Sequence, residues 1–281
     1  MDVARHVIEL LEAEDTEEAR RLAALLDSRN RERQQVQQKI TELAILETAN
    51  IDQQRFVVVS GQDWHRGVIG LAASKIAERL YRPTIVLSAE NGYAHGSGRT
   101  VGDFHLLEAL ESCSDLFEQF GGHAAAAGMK IKVENIDALK ERLNEHALRV
   151  FSDDLLTPVL NIDAPVSSQT MDLSLVDALA CFEPYGAGNP KPVFVTSGLK
   201  VRDEPFVMKD KHLKLKLFDG DRRLFEAVWW DGVERSKGRT PAAGQSIELA
   251  YTPEVNVWQG NRSLQLVVED IRIDNQKNGR S

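Results

Sequence analysis

The chain opens on apolar positions at helical spacing. Residues 16–49 contain neither Gly nor Pro. Ala19, Leu22, Leu25 and Leu26 give way to the polar run RNRERQQVQQK, and apolar positions return at Ile40, Leu43 and Ile45. This predicts one long helix with a solvated middle, either bridging two bodies or lying on a surface. The pattern then alternates. Arg55–Ser60 reads as a buried strand, Gly61–Arg66 as a loop, Gly67–Leu80 as a helix, and TIVLS after Pro83 as a second strand. Asn91-Gly92 predicts a turn into YAHGSGRT, followed by a helix near Phe104–Glu111. After GGHAAAAG come a strand, MKIKV, and a helix over Ile136–Phe151. Strands separated by helices imply crossovers and a mixed or parallel sheet over roughly 52–152.

Residues 153–192 predict a short helix framed by loop, with four of the nine prolines between Pro165 and Pro192. Beyond them the period is two: PVFVTSGLKV, HLKLKLFD, RRLFEAVWW, QSIELAYTPEVN and RSLQLVVEDIRI. Five such strands predict a small Greek-key barrel, of which the OB-fold is the commonest nucleic-acid-binding kind, with a frayed tail DNQKNGRS.

Composition adds exclusions. With 281 residues, 42% hydrophobic and 27% charged, the chain is globular and long enough for two cores. It has no apolar run of ~18 residues to span a membrane. Its charged start, MDVARHVIELLEAED, does not read as a signal peptide. Cys113 and Cys181 form no zinc or redox spacing, so a reducing, cytoplasmic setting is expected. The net charge of −9 is uneven. Residues 1–185 hold 18 Lys+Arg against 30 Asp+Glu, and residues 186–281 hold 16 against 13. An acidic body is thus followed by a mildly basic one.

Three segments could hold an anion. In the strand 94–100, His95, Ser97 and Arg99 share one face, with Ala94, Gly96 and Gly98 on the other. Guanidinium and hydroxyl suit a phosphate, and the glycines would let another backbone approach; a polar, solvent-facing strand is the alternative. Gly121-Gly122-His123 can aim N–H groups at an anion with an imidazole at the tip, or can simply be a tight turn. Asp63 or His65 could cap the helix that follows, whose positive end favours an anion; a capped turn with Trp64 packed on the sheet is the alternative. In the barrel, Lys209, Lys211, Lys214, Lys216 and His212 lie near the second strand. Trp258 and Arg262 flank the turn Gln259-Gly260-Asn261. Cations with an aromatic near a loop tip suit single-stranded nucleic acid; a solvated hairpin with Trp258 capping the core is the alternative. Of Trp229 and Trp230, one is expected in the core.

No Asp-His-His, His-x-Asp, HExxH, G-x-S-x-G, P-loop or CxxC pattern occurs, and Asp103-Phe104-His105 reads as a helix entry. No catalytic residue and no metal ligand is expected in this chain.

The segments WHRGVIGLAASKI (64–76), GSGRT (96–100) and FGGHAAAAGM (120–129) resemble the DHHA1 domain. EPYGAGNPKPVF (183–194) resembles the segment joining that domain to the RecJ OB domain, and WQGNRSLQLVVEDIR (258–272) the end of that OB domain. Over nearly its whole length the chain is similar to the C-terminal part of the RecJ family of single-stranded-DNA-specific 5′→3′ exonucleases. The resemblance implies an α/β DHHA1 domain with a mixed sheet, preceded by a long connecting helix and followed by an all-β OB-fold barrel. The implied divisions are the end of a DHH domain and connecting helix over 1–51, the DHHA1 domain over 52–157, and the OB domain over 158–281. Met1-Asp2 would then be the close of the family's Gly-Arg-Met/Leu-Asp motif, and Met1 an internal start.

The implied function is the holding of single-stranded DNA and its 5′-proximal phosphates in repair and recombination. Roles carry to Ser97, Arg99, Gly122 and His123. The Mn²⁺ or Mg²⁺ site belongs to the DHH domain, whose motifs are missing here, so no hydrolysis is expected from this chain alone. A single-strand-binding protein or a RecQ-type helicase is the implied protein partner. The alternatives are a phosphodiesterase for short oligonucleotides and a non-catalytic OB interaction module.

Overall fold

In the computed structural model the polar-centred helix forms as its pattern predicts. Helix α1 (Ala4–Glu12) precedes α2 (Thr16–Glu47), capped by the Asp15 carboxylate, which accepts from Glu18 N at 3.0 Å. Over its 32 residues α2 buries only Leu22, Ile40 and Ala44. It is thus anchored near its ends, with a solvated middle. The structure describes residues 4–48, 54–150 and 157–274, which form two compact units, Met1–Val159 and Leu160–Ser281. Met1, the helix ends expected at residue 49 and Phe151, and the tail from Asn275 lie outside the described residues.

In the first unit, β1 (Val57–Gln62), α3 (Arg66–Leu80), β2 (Thr84–Glu90), β3 (Tyr93–Arg99), α4 (Leu106–Glu111), β4 (Phe117–Gly122), β5 (Ala126–Lys132) and α5 (Ile136–Val150) follow in order. The sheet order is β1-β2-β3-β5-β4; β1 and β2 are parallel and every other pair is antiparallel. The sheet is mixed, as expected, with a single parallel pair. Strands β1 and β2 read as continuous apolar runs because both their faces are covered. Val57, Val59 and Val86 pack with Ile40 and Ala44 of α2 and with Val68, Ile69, Ala72 and Ile76 of α3. On the other face Val58, Ile85, Leu87, Met129 and Ile131 pack with Leu106 and Leu110 of α4 and Leu139 and Leu143 of α5. Burying each of these large side chains stabilises by about 1.5–3 kcal/mol.

The second unit contains β6 (Ala164–Pro165), α6 (Leu173–Leu179), β7 (Phe194–Val201), β8 (Phe206–Met208), β9 (His212–Phe218), β10 (Leu224–Trp229), α7 (Gly232–Arg235), β11 (Ser246–Trp258) and β12 (Asn261–Ile273). Strand β7 pairs with β11, β11 with β12, β12 with β10 and β10 with β9. Strand β9 returns to β7 through Lys200↔Phe218 and Val201↔Leu217. Five strands therefore close into a ring in which only β10–β12 is parallel, the strand order of an OB barrel. Alternate residues fill it: Leu213, Leu215 and Leu217, Ala227 and Trp229, Leu249 and Tyr251, Leu266 and Val268. Thr196 Oγ1 donates to Val166 O at 2.7 Å, so the buried Tyr251 hydroxyl donates to Thr196 Oγ1 at 3.1 Å. Trp229 is the core tryptophan and Trp230 is exposed.

Candidate nucleic-acid interface

Strand β3 alternates as its sequence predicts. Gly96 and Gly98 face the core, where an added Cβ would meet Leu87 Cδ2 at 2.6 Å and Leu106 Cδ2 at 3.0 Å. Their close neighbours are side chains, which corrects the expectation that these glycines admit another backbone. His95, Ser97 and Arg99 face α3, and Gly70 of that helix lies against Ser97 Oγ and Arg99 Nη2. Arg99 Nη1 donates to Ser97 Oγ at 3.1 Å and to Gly98 O at 2.7 Å. Among the described residues no carboxylate stands within ion-pair distance of Arg99. A half-buried guanidinium already oriented, and without an acid to neutralise it, is a ready phosphate donor.

The GGH segment is not a free loop. Gly121 and Gly122 end β4, a strand the sequence pattern did not reveal, and residues 123–125 turn into β5. Gly122 has φ +155°, and a Cβ there would stand 2.3 Å from Ala126 O, so the turn requires glycine. His123 N donates to Ala126 O at 2.9 Å, while Thr100 N and Leu106 N donate to Ala125 O and Ala124 O. The hairpin tip is thereby tied to the end of β3, beside Arg99. The tip imidazole uses Nδ1 to accept from Ala125 N at 3.3 Å, leaving Nε2–H as the donor presented outward by the neutral ring. His65 caps α3 in the same way, its Nδ1 accepting from Gly67 N at 3.1 Å. Asp63 instead takes a left-handed turn position. His105 caps α4, so Asp103-Phe104-His105 is the helix entry its sequence suggested.

The strand registers place Ser97, Gly128 and Gly121 side by side on the α3 face, with His95, Lys130 and Gln119 as the next row. Burial, and then the positive charges of Arg66 and Lys130, hold the His95 pKa below the usual imidazole value. At His95 the charges of these two cations outweigh that of Glu90, although the unit as a whole is acidic.

On the barrel, Lys209 and Lys211 sit in the β8–β9 turn, where Lys209 and Asp210 are both left-handed. Lys214 shares the outer face with Phe206, its cross-strand partner, and pairs with Glu226 at 2.9 Å. His212 and Trp230 meet edge to face, with ring centroids 4.9 Å apart. Trp258 is 70% exposed at the β11–β12 tip and does not cap the core. The register Trp258↔Asn261 and Val257↔Arg262 sends Trp258 and Arg262 to opposite faces of this ribbon. Arg262 instead reaches Asp177 of α6 at 2.6 Å, at the rim of a cleft of about 300 Å³ lined by Val176, Leu179, Pro253 and Val255. The two residues flank the turn, as the sequence places them, but do not share a face.

Phe206, 67% exposed, and Trp230 were not singled out as binding residues in the sequence. Alternation from core residues Leu213 and Trp229 was the signal that could have placed Trp230 on the outer face. Among the described residues, no three His, Cys, Asp or Glu side chains are grouped to hold a metal ion, and no helix is long and apolar enough to cross a membrane.

Comparison with known proteins agrees with both units. Residues 53–147 match the DHHA1 domain and residues 162–270 the RecJ OB domain. The chain is 33% identical to the single-stranded-DNA-specific exonuclease RecJ of Bacillus subtilis, over 97% of this chain and 35% of that protein. It is 30% identical to RecJ of Salmonella typhimurium, over 94% of this chain and 47% of that protein. Among solved structures, RecJ from Thermus thermophilus in complex with Mn²⁺ superposes with a TM-score of 0.76 at 26% identity, covering 97% of this chain and 39% of that one. The chain thus spans less than half the length of these relatives.

Proposed function

The chain is a RecJ-type pairing of a DHHA1 domain with a RecJ OB domain, and from that premise we propose that it is the DNA-holding part of a single-stranded-DNA exonuclease. One observation carries the reading: Arg99, oriented by Ser97 and Gly98 and free of any acidic partner among the described residues, stands beside the hairpin tip of Gly122 and His123. The first unit holds the 5′-terminal phosphate there. The guanidinium and the Ser97 hydroxyl donate to it, and the Nε2–H of His123 approaches from the tip. His65 fixes the start of α3, and so the position of Gly70 behind Ser97.

The barrel holds the strand itself. Its aromatics Phe206, Trp230 and Trp258 offer stacking surfaces, and Lys209, Lys211 and Lys214 follow the phosphates. The residues present do not fit the metal ion seen in the Thermus relative, since no ligand group forms among the described residues. No step of hydrolysis is assigned to them. The likeness to RecJ extends the proposed partners to a single-strand-binding protein or a RecQ-type helicase. Unchanged affinity for DNA on adding either purified partner, together with no direct complex, would remove that extension.

The experiment is a binding titration of matched oligonucleotides with and without a 5′ phosphate. Arg99→Ala is expected to weaken the phosphorylated strand by roughly tenfold or more and leave the other nearly unchanged, as a charge-assisted contact worth ~1.5–3 kcal/mol is lost. Equal losses on both would remove the phosphate role.

A further inference from the structure

Resting on the phosphate reading of Ser97 and Arg99, we propose that a 5′-phosphorylated single strand leaves that corner across β5 and β4, and that Lys130, with Gln119 beside it, holds its second phosphate. The corner is closed on two sides. Gly70 of α3 lies on Ser97 and Arg99. On the β2 side the sheet is covered beside His95, because Ser88, its cross-strand partner, donates its hydroxyl to Trp64 O at 2.6 Å in the loop before α3. The open direction runs from Ser97 over Gly128 to Gly121, about 10 Å across two strand spacings.

Lys130 and Gln119 form a cross-strand pair one register step to the side of this path, about 7 Å along the strands from Gly128 and Gly121. Lys130 has no carboxylate within ion-pair distance among the described residues; its Nζ rests 4.4 Å from the centroid of the Tyr93 ring. A cation positioned over an aromatic ring and unneutralised, beside a path that starts at a phosphate site, is placed for the next phosphate. The path itself supports this. Nothing lies within 4 Å of a Cβ added at Gly121 or Gly128, so the fold leaves room for a side chain at both. Glycine there keeps the way open for a backbone lying on the sheet. By contrast Gly122 and Gly96 are demanded by their own surroundings.

The test uses the full chain with two probes, thymidine 5′-monophosphate and 5′-phosphorylated tetrathymidylate; the unphosphorylated tetramer measures binding by the barrel. Lys130→Gln is expected to weaken phosphate-dependent binding of the tetramer roughly tenfold. It should lower the slope of log affinity against log salt by about 0.7, and leave the monophosphate unchanged. Gly121→Val, which fills the exit, is expected to show the same selectivity with the melting temperature maintained. Unaltered tetramer affinity in both variants, with Arg99→Ala still defective, overturns the path alone. Equal losses on both probes in Lys130→Gln place that residue at the first phosphate and overturn its role at the second. An Arg99→Ala variant that binds both probes normally removes the underlying phosphate reading and this inference with it.

Discussion

The adjacent glycines of the GGH segment should respond oppositely to one methyl group. Gly122→Ala places a Cβ 2.3 Å from Ala126 O and 2.6 Å from Ala127 Cα, on a residue with φ +155°. Backbone strain of about 1–3 kcal/mol adds to overpacking of about 1–3 kcal/mol, so a loss of about 2–6 kcal/mol is expected. At about 2–4 °C per kcal/mol for a unit of this size, the middle of that range lowers the melting transition of the first unit by roughly 8–16 °C. Gly121→Ala adds its methyl to open space, and its effect should lie within about 0.5 kcal/mol, or reach a slight gain from a stiffer unfolded chain. The loss at Gly122 should also be local. Hydrogen exchange should rise at Thr100 N and Leu106 N, the amides that donate to the tip. Thermal melts of the two variants against the parent chain are the assay. Equal shifts in both variants would refute the reasoning, as would an unchanged melt for Gly122→Ala.

Three further outcomes follow from the same structure. Burial comes first in lowering the pKa values of His95 and His146, aided by the charges of Arg66 and Lys130 for His95 and Arg149 for His146. Both folded values lie below 6.5, so their contribution is present above that pH and is lost as pH falls through the folded values; a double His95→Gln/His146→Gln variant whose melting temperature declines on acidification as steeply as the parent's would refute this. Tyr251→Phe removes the donor to Thr196 Oγ1 inside the barrel and should cost ~1–2 kcal/mol in chemical denaturation of the second unit, while a neutral result would mean that the hydroxyl pair contributes nothing. Trp258→Ala should weaken long single strands by roughly 5–150-fold, a base stack being worth ~1–3 kcal/mol. Arg262→Ala should change the same affinity little, since it breaks a surface ion pair on the other face of the ribbon; the reverse ranking by fluorescence titration would overturn the assignment of faces.

Much of this architecture was readable from periodicity, and the exceptions have physical causes. Helices α2, α3 and α5 carry apolar positions that return every three or four residues, and strands β9 and β12 alternate, so their existence and type were legible. Strand β4 was not, because Phe117-Glu118-Gln119-Phe120-Gly121-Gly122 buries only its phenylalanines, partly, and ends in glycines that carry no pattern. The polar face of β3 was legible from alternation alone, since His95, Ser97 and Arg99 are two apart. What the sequence could not show is which neighbours complete it. Lys130 and Gln119 reach that face only through the registers of β3 with β5 and β5 with β4. Trp258 and Arg262 look like one cluster in a linear reading, yet the two-residue turn Gln259-Gly260 makes them occupants of opposite faces.

The net charge of −9 is compatible with a polyanionic ligand because charge acts locally in salt water. At ~0.1–0.15 M salt, fields fade over about 8–10 Å, so a phosphate on the sheet samples only groups on its own face. Helices α4 and α5, which bring Glu108, Glu111, Glu141 and Glu145, pack on the opposite face, behind the layer formed by Ile85, Leu87, Met129 and Ile131. On the α3 face Arg99 and Lys130 have no ion-pair partner among the described residues, and Glu90, the acid whose charge acts on His95, is engaged by Arg66 at 2.8 Å. Lowering the salt lengthens the reach of the acidic helices as well as of the cations. Electrostatic gain for the first unit should therefore level off at low ionic strength, whereas the barrel, at +3 over residues 186–281, should go on gaining.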